Sequence, residues 1–102
     1  MADKNQKRIA PVHPGEILFE EFMAPMGISQ YRLAKDINVQ PTRISEIIHG
    51  KRSISTDTAM RLGVYFKMGA SFWLGLQMDY DLALAEDELE EKIKKEVQPY
   101  AA

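Results

Sequence analysis

Residues 40–49 read Gln-Pro-Thr-Arg-Ile-Ser-Glu-Ile-Ile-His, and their side chains fall into two sets. Gln40, Thr42, Arg43 and Ser45 carry hydrogen-bonding groups that suit the edges of bases. A glutamine amide pairs with adenine, an arginine fork with guanine, and a hydroxyl reaches bases or phosphate. Ile44, Ile47 and Ile48 carry no such groups and recur at helical spacing. A helix that buries one stripe in its own domain and turns a polar stripe outward has the form needed to enter a major groove. Ser29 and Gln30 open the preceding helix, where free N–H groups and the positive end of the helix dipole favour a phosphate. Lys51 and Arg52 follow the polar stripe and would reach backbone phosphate on its far side. Glu46 on the same face counts against nucleic acid unless it accepts from a cytosine amino group. A plainer alternative stands beside this one. Polar outward residues are expected on any exposed helix, and the same helix pair occurs in proteins that never touch DNA.

The elements that must position these residues announce themselves by caps and breakers. Pro14 suits the first position of a helix whose apolar face is Ile17, Leu18 and Phe22, with Pro25 and Gly27 as its stop. Ser29 is a helix N-cap flanked by Ile28 and Leu33 at hydrophobic-staple spacing. The helix it opens, 30–37, buries Leu33, Ala34 and Ile37. Asn38, tolerant of the left-handed conformation, makes the turn. Pro41 opens the next helix, with Val39 and Ile44 again at staple spacing and Gly50 as its end. Ser55 caps a fourth helix with Asp57 in its first turn and Ala59, Leu62 and Phe66 on its apolar face. Gly69 and Ser71 separate it from a fifth. That helix begins near Phe72, carries Trp73, Leu76, Tyr80, Ala83 and Leu84 on one side, and runs on through Leu89 and Ile93 towards Pro99. No stretch alternates as a strand does. The expectation is an all-α fold of five helices with short loops. Two helices of about eight residues joined across Asn38, with small Ala34 at the crossing, have the pattern of a helix-turn-helix.

Other chemistries find little support. Without cysteine there is no disulfide, thiolate nucleophile or thiolate-bound zinc. His13 and His49 are far apart and have no carboxylates at ligand spacing; they read as a cap-adjacent and a surface histidine. No P-loop, Rossmann or nucleophile-elbow glycine pattern occurs. No catalytic residue, metal or cofactor is therefore expected, and an enzyme is the weakest reading. The six methionines are core filler. The longest uncharged apolar stretch, 68–78, is interrupted by Gly, Ser and Gln and falls well short of the roughly 18 residues of a membrane span. No apolar run follows the basic first residues, so no signal peptide is expected, and the lack of cysteine fits a cytoplasmic protein. At 102 residues the chain has the length of one domain. Its net charge of -2 hides an asymmetry: residues 1–56 hold eight Lys and Arg against six acids, residues 57–102 five against nine. The local footprint matters more than the sum for nucleic acid.

Beyond the polar stripe, the order of motifs resembles a known family. Pro11-Val12-His13-Pro14-Gly15-Glu16-Ile17-Leu18 is similar to the opening of the HigA-type (VapI-like) antitoxins, within the Xre/Cro class of helix-turn-helix proteins. Gly27-Ile28-Ser29, Leu33-Ala34, the run from Ile44 to Ser55, Thr58 to Leu62, and Phe72 to Leu82 continue that resemblance over about residues 11–85. It implies a compact five-helix lambda-repressor-like domain with an extended C-terminal helix. It also implies a protein that binds double-stranded operator DNA as a homodimer to repress its own operon, and that neutralises a cognate basic toxin, a HigB-type RNA-cleaving enzyme. The match puts Gln40, Thr42, Arg43 and Ser45 at base-reading positions and Ser29, Gln30, Lys51 and Arg52 at backbone positions. Asn38 stands where glycine is common, and Pro41 where a side chain often reads bases, so the operator sequence does not carry over.

The expected organisation is a loose tail over 1–12, a helix-turn-helix domain over 13–85 and an acidic helical extension over 86–102. Trp73, Leu76, Tyr80 and Leu89 are candidates for a dimer interface, with ordinary core packing as the alternative for the aromatic pair. In 86–96, Glu and Lys recur at four-residue spacing. That run is either a self-supported solvated helix end or an acidic surface for a basic partner. Two alternatives to the antitoxin reading remain: a solitary helix-turn-helix repressor, and a protein-interaction module without DNA binding.

Overall fold

The computed structural model describes residues 10–101. Among them are five helices and no strand. The first, α1, runs from Pro14 to Met26 in three consecutive pieces: α-helical Pro14–Ile17, π-helical Leu18–Met23 and α-helical Ala24–Met26. His13 is its N-cap, and Pro14 occupies the position where no N–H is needed. The expected stop divides in two. Gly27, at φ 67°, does end the helix, whereas Pro25 is held inside its last turn. Ahead of Pro25 the Ala24 N–H bonds Phe19 O, a five-residue step. A proline ring obstructs the carbonyl four residues back, and a wider turn relieves that clash.

Helices α2 (Gln30–Ile37), α3 (Pro41–Ile48), α4 (Thr56–Phe66) and α5 (Ala70–Glu96) follow. Ser29 and Ser55 cap α2 and α4, each side-chain oxygen accepting from the N–H three residues on. The last helix starts earlier than expected. Gly69, at φ 82°, is its N-cap, so Ser71 lies inside α5 rather than in the loop. The residue that turns the chain out of α4 is Lys67, left-handed at φ 62°.

One core draws on every helix: Leu18 and Met23 from α1, Leu33, Ala34 and Ile37 from α2, Ile44 and Ile47 from α3, Ala59 and Leu62 from α4, and Trp73 from α5, with Ile54 from the loop after α3. Trp73 corrects one dimer candidate. It is 0 % exposed, clasped by Phe22, Phe66 and Phe72 at ring separations of 4.8–5.8 Å, and so offers no surface to a second subunit. Leu76 and Tyr80 are half-buried, and Leu89 is exposed.

Helix α5 spans 27 residues, about 40 Å at 1.5 Å per residue. Burial along it ends at Ala85; residues 86–96 are exposed all round while the helix continues without a break. Of the expected tail, residues 1–9 lie outside the described residues, and 10–12 have no regular structure. No helix among the described residues is long and apolar enough to cross a membrane.

Candidate nucleic-acid interface

The turn between α2 and α3 is tight because Asn38 takes φ 60°, ψ 53°. From there Asn38 N–H bonds Lys35 O at 3.3 Å and Val39 N–H bonds Ala34 O at 3.0 Å, satisfying carbonyls that the end of α2 would otherwise orphan. Gln40 is the N-cap of α3, yet its side chain makes no capping bond. Its amide is exposed at the tip of the helix and makes no hydrogen bond among the described residues.

Along α3 the two stripes separate cleanly. Ile44 and Ile47 are fully buried and Ile48 is half-buried. Thr42 is exposed, and Arg43 and Ser45 are half-buried at the edge of the outer face. At the far end, Nδ1 of exposed His49 donates to Ser45 O at 2.7 Å.

The flanking residues are held differently from one another. Ser29 Oγ accepts from the Arg32 N–H at 3.0 Å, leaving its O–H free to donate outward, and Gln30 is half-buried beside it. Lys51 is exposed and makes no ion pair among the described residues. Arg52, expected to reach backbone phosphate, pairs through Nε with Glu46 Oε1 at 2.7 Å. The acid that looked unfavourable on the recognition face is thus turned to the loop and neutralised there. That loop is pinned by Gln77 of α5, only 6 % exposed. Its Oε1 accepts from the Ile54 N–H at 2.8 Å, and its Nε2 donates to Asp81 at 2.9 Å and to Ser53 at 3.3 Å.

Sequence reading missed a second polar cluster, on α4. Arg61 Nη1 donates to Ile37 O at 2.9 Å and lies 3.5 Å from Asn38 O, while its Nε donates to Asp57 at 2.9 Å. One turn on, Tyr65 donates to Asp36 at 2.8 Å, and Arg32 donates to the same oxygen at 2.7 Å. The Tyr65 hydroxyl and Arg32 together hold the Asp36 carboxyl below its usual range. Only the four-residue spacings of Arg32 with Asp36 and of Asp57 with Arg61 could have pointed here. Asn38, Val39, Gln40, Arg43, Asp57 and Arg61 line an open pocket of about 260 Å³ against the start of α3.

No group of three His, Asp or Glu among the described residues could hold a metal ion.

Residues 19–72 match the helix-turn-helix family HTH_3. Virulence-associated protein I of Dichelobacter nodosus is 48% identical over 87 residues, covering 85% of this chain and 79% of its own length. Among solved structures, an addiction module antidote protein of the HigA family from Coxiella burnetii superposes with a TM-score of 0.85 at 43% identity, over 90% of this chain and 100% of that one. The Pseudomonas aeruginosa antitoxin HigA, solved with the higBA promoter, superposes with a TM-score of 0.86 at 41% identity, over 89% and 99%. The chain belongs to the HTH_3 helix-turn-helix family, in its Xre-like class and HigA-type branch.

Proposed function

We propose that this protein is an antitoxin that binds operator DNA as a dimer, represses its own operon and neutralises a basic RNA-cleaving toxin. The observation that carries the DNA half of this reading is α3. Its apolar stripe packs on the core of its own domain, with Ile44 and Ile47 fully buried, while Gln40, Thr42, Arg43 and Ser45 remain along the outward side without a structural task that needs them all. The likeness to a HigA solved with promoter DNA supports it.

In this reading α3 enters the major groove tip first, and Gln40, Thr42, Arg43 and Ser45 meet base edges. Ser29 and Gln30 at the start of α2 and Lys51 and Arg52 after α3 hold phosphates on either side. One such helix covers only a few base pairs. Two on a two-fold axis reach half-sites about 34–36 Å apart, which is the reason for a dimer. The exposed stripe of Leu82, Leu89 and Ile93 on α5 is the surface best suited to pairing. The acidic run 86–91 suits a basic toxin by charge.

The test is a titration of the purified protein into DNA from upstream of its own reading frame, beside a scrambled control, at two salt concentrations. Saturable binding to the upstream DNA alone is expected, and Arg43→Ala should weaken it by about 1–3 kcal/mol without weakening control binding. Binding equal on both DNAs and lost with salt is mere charge attraction and leaves the protein-interaction reading. Co-expression with the product of the neighbouring reading frame then tests the toxin half. Failure to rescue growth or to co-purify leaves a solitary repressor.

A further inference from the structure

The polar cluster on α4 grips the residues that aim the face that would meet DNA. The Ile37 and Asn38 carbonyls belong to the last turn of α2, where no intrahelical donor remains for them. Arg61 reaches across from α4 to supply one, at 2.9 Å to Ile37 O and 3.5 Å to Asn38 O. Asp57 holds the same guanidinium from below at 2.9 Å, and Tyr65 ties Asp36 to α4 one turn further on. Side chains of α4 therefore hold the end of α2 at Asp36, Ile37 and Asn38. Only Val39 and Gln40 separate that anchorage from α3. Gln40 and Arg43 line the same open pocket as Arg61 and Asp57.

We infer that Arg61 is a positioning residue for base readout: its guanidinium fixes the turn and so sets the aim of Gln40 and Arg43. The inference rests on the DNA-binding reading above. A planar guanidinium can meet Asp57 and a backbone carbonyl at once through different nitrogens, whereas a lysine has a single nitrogen on a flexible stem. The charge on Arg61 is spent on Asp57 and on carbonyl oxygens, so it adds little to phosphate attraction. Loss of Arg61 should therefore cost sequence discrimination and spare general affinity.

The experiment compares the parent protein with Arg61→Ala and Arg61→Lys on upstream and scrambled DNA across a salt series, below the melting temperature of all three. Amide hydrogen exchange is followed in parallel. Arg61→Ala is expected to lower affinity for the upstream DNA about tenfold, the worth of one misplaced base contact, with control affinity and salt slope unchanged. The hydrogen-bonded amides of Asn38, Val39 and Arg43 should exchange faster while those in the middle of α5 do not change. Arg61→Lys should behave like Arg61→Ala. Equal loss on both DNAs with a shallower salt slope, rescued by Lys, would make Arg61 a phosphate contact and overturn the inference. Unchanged discrimination with only a lower melting temperature would make it merely structural and also overturn it. A parent protein without preference for its upstream DNA is seen before any variant is compared. It sinks the DNA reading, and base positioning with it. If Arg61→Ala does not fold, Arg61→Gln, which keeps a polar side chain but loses the guanidinium, is measured in its place against the same outcomes.

Discussion

His13 joins three parts of the molecule with one ring. Its Nδ1 accepts from the Gly15 N–H at 2.9 Å, its ring meets that of Tyr80 edge-on with centroids 4.8 Å apart, and Gly50 at the end of the α3 turn lies alongside. The accepting nitrogen must be unprotonated. Burial agrees, pushing the His13 pKa below 6.5 against the opposing pull of Asp81. The sign follows: the unfolded chain takes up the proton first, so this contribution is full above the ordinary histidine range and is lost as pH falls through the lowered value. Urea midpoints at pH 7.5 and 5.0 should therefore drop further for the parent than for His13→Asn, whose capping amide does not titrate. The two cations after α3 also differ at this scale. Lys51 makes no ion pair among the described residues, whereas Arg52 is matched by Glu46. Lys51→Ala should reduce the salt slope of DNA binding by about one, and Arg52→Ala by visibly less.

At the scale of elements, the placement of α3 depends on how closely α1 comes to it. A Cβ on Gly15 would overlap the backbone carbonyl of Ile47 in α3, and that obstruction cannot swing aside as a side chain could. Gly15→Ala should accordingly cost at least the roughly 1–3 kcal/mol of an overpacked core, read as a lower denaturation midpoint. It should also weaken binding to upstream DNA even where the variant is fully folded, because α3 is what moves. The wide turn ahead of Pro25 belongs to the same fit. It lets α1 bring Leu18, Phe22 and Met23 to the core while passing a proline.

At the scale of the whole molecule, the recognition side and the long helix divide the labour. The basic residues gather around 29–53, and the acids on the far half of α5. Beyond Ala85 the helix holds itself up with exposed pairs such as Glu90–Lys94, each worth only a few tenths of a kcal/mol. Leu82, Leu89 and Ile93 remain 56, 42 and 48 % exposed along it. If that stripe joins two copies, Leu89→Glu should shift the protein to monomer in sedimentation, leave its helix content intact, and lower upstream-DNA affinity by uncoupling the half-sites. An unchanged dimer would place the interface elsewhere.

Much of this was legible in the chain itself, and the reason is range. Ser29 and Ser55 as caps, Asn38 as a left-handed turn, and α2 at 30–37 are short-range matters of hydrogen bonding and conformational preference. So is α3 opening at Pro41, and the apolar spacing that buries Leu33, Ile37, Ile44 and Ile47 is local too. Those signals were enough to expose the polar stripe of α3. What only the tertiary structure decided lies between residues distant in sequence. Arg61 meets Ile37 across 24 positions and Tyr65 meets Asp36 across 29. Trp73 goes to the core because Phe22, Phe66 and Phe72 converge on it. Glu46 turns to Arg52 because the loop after α3 folds back under Gln77. Each of these depends on where helices cross, and helix crossings are set by the packing of the whole core.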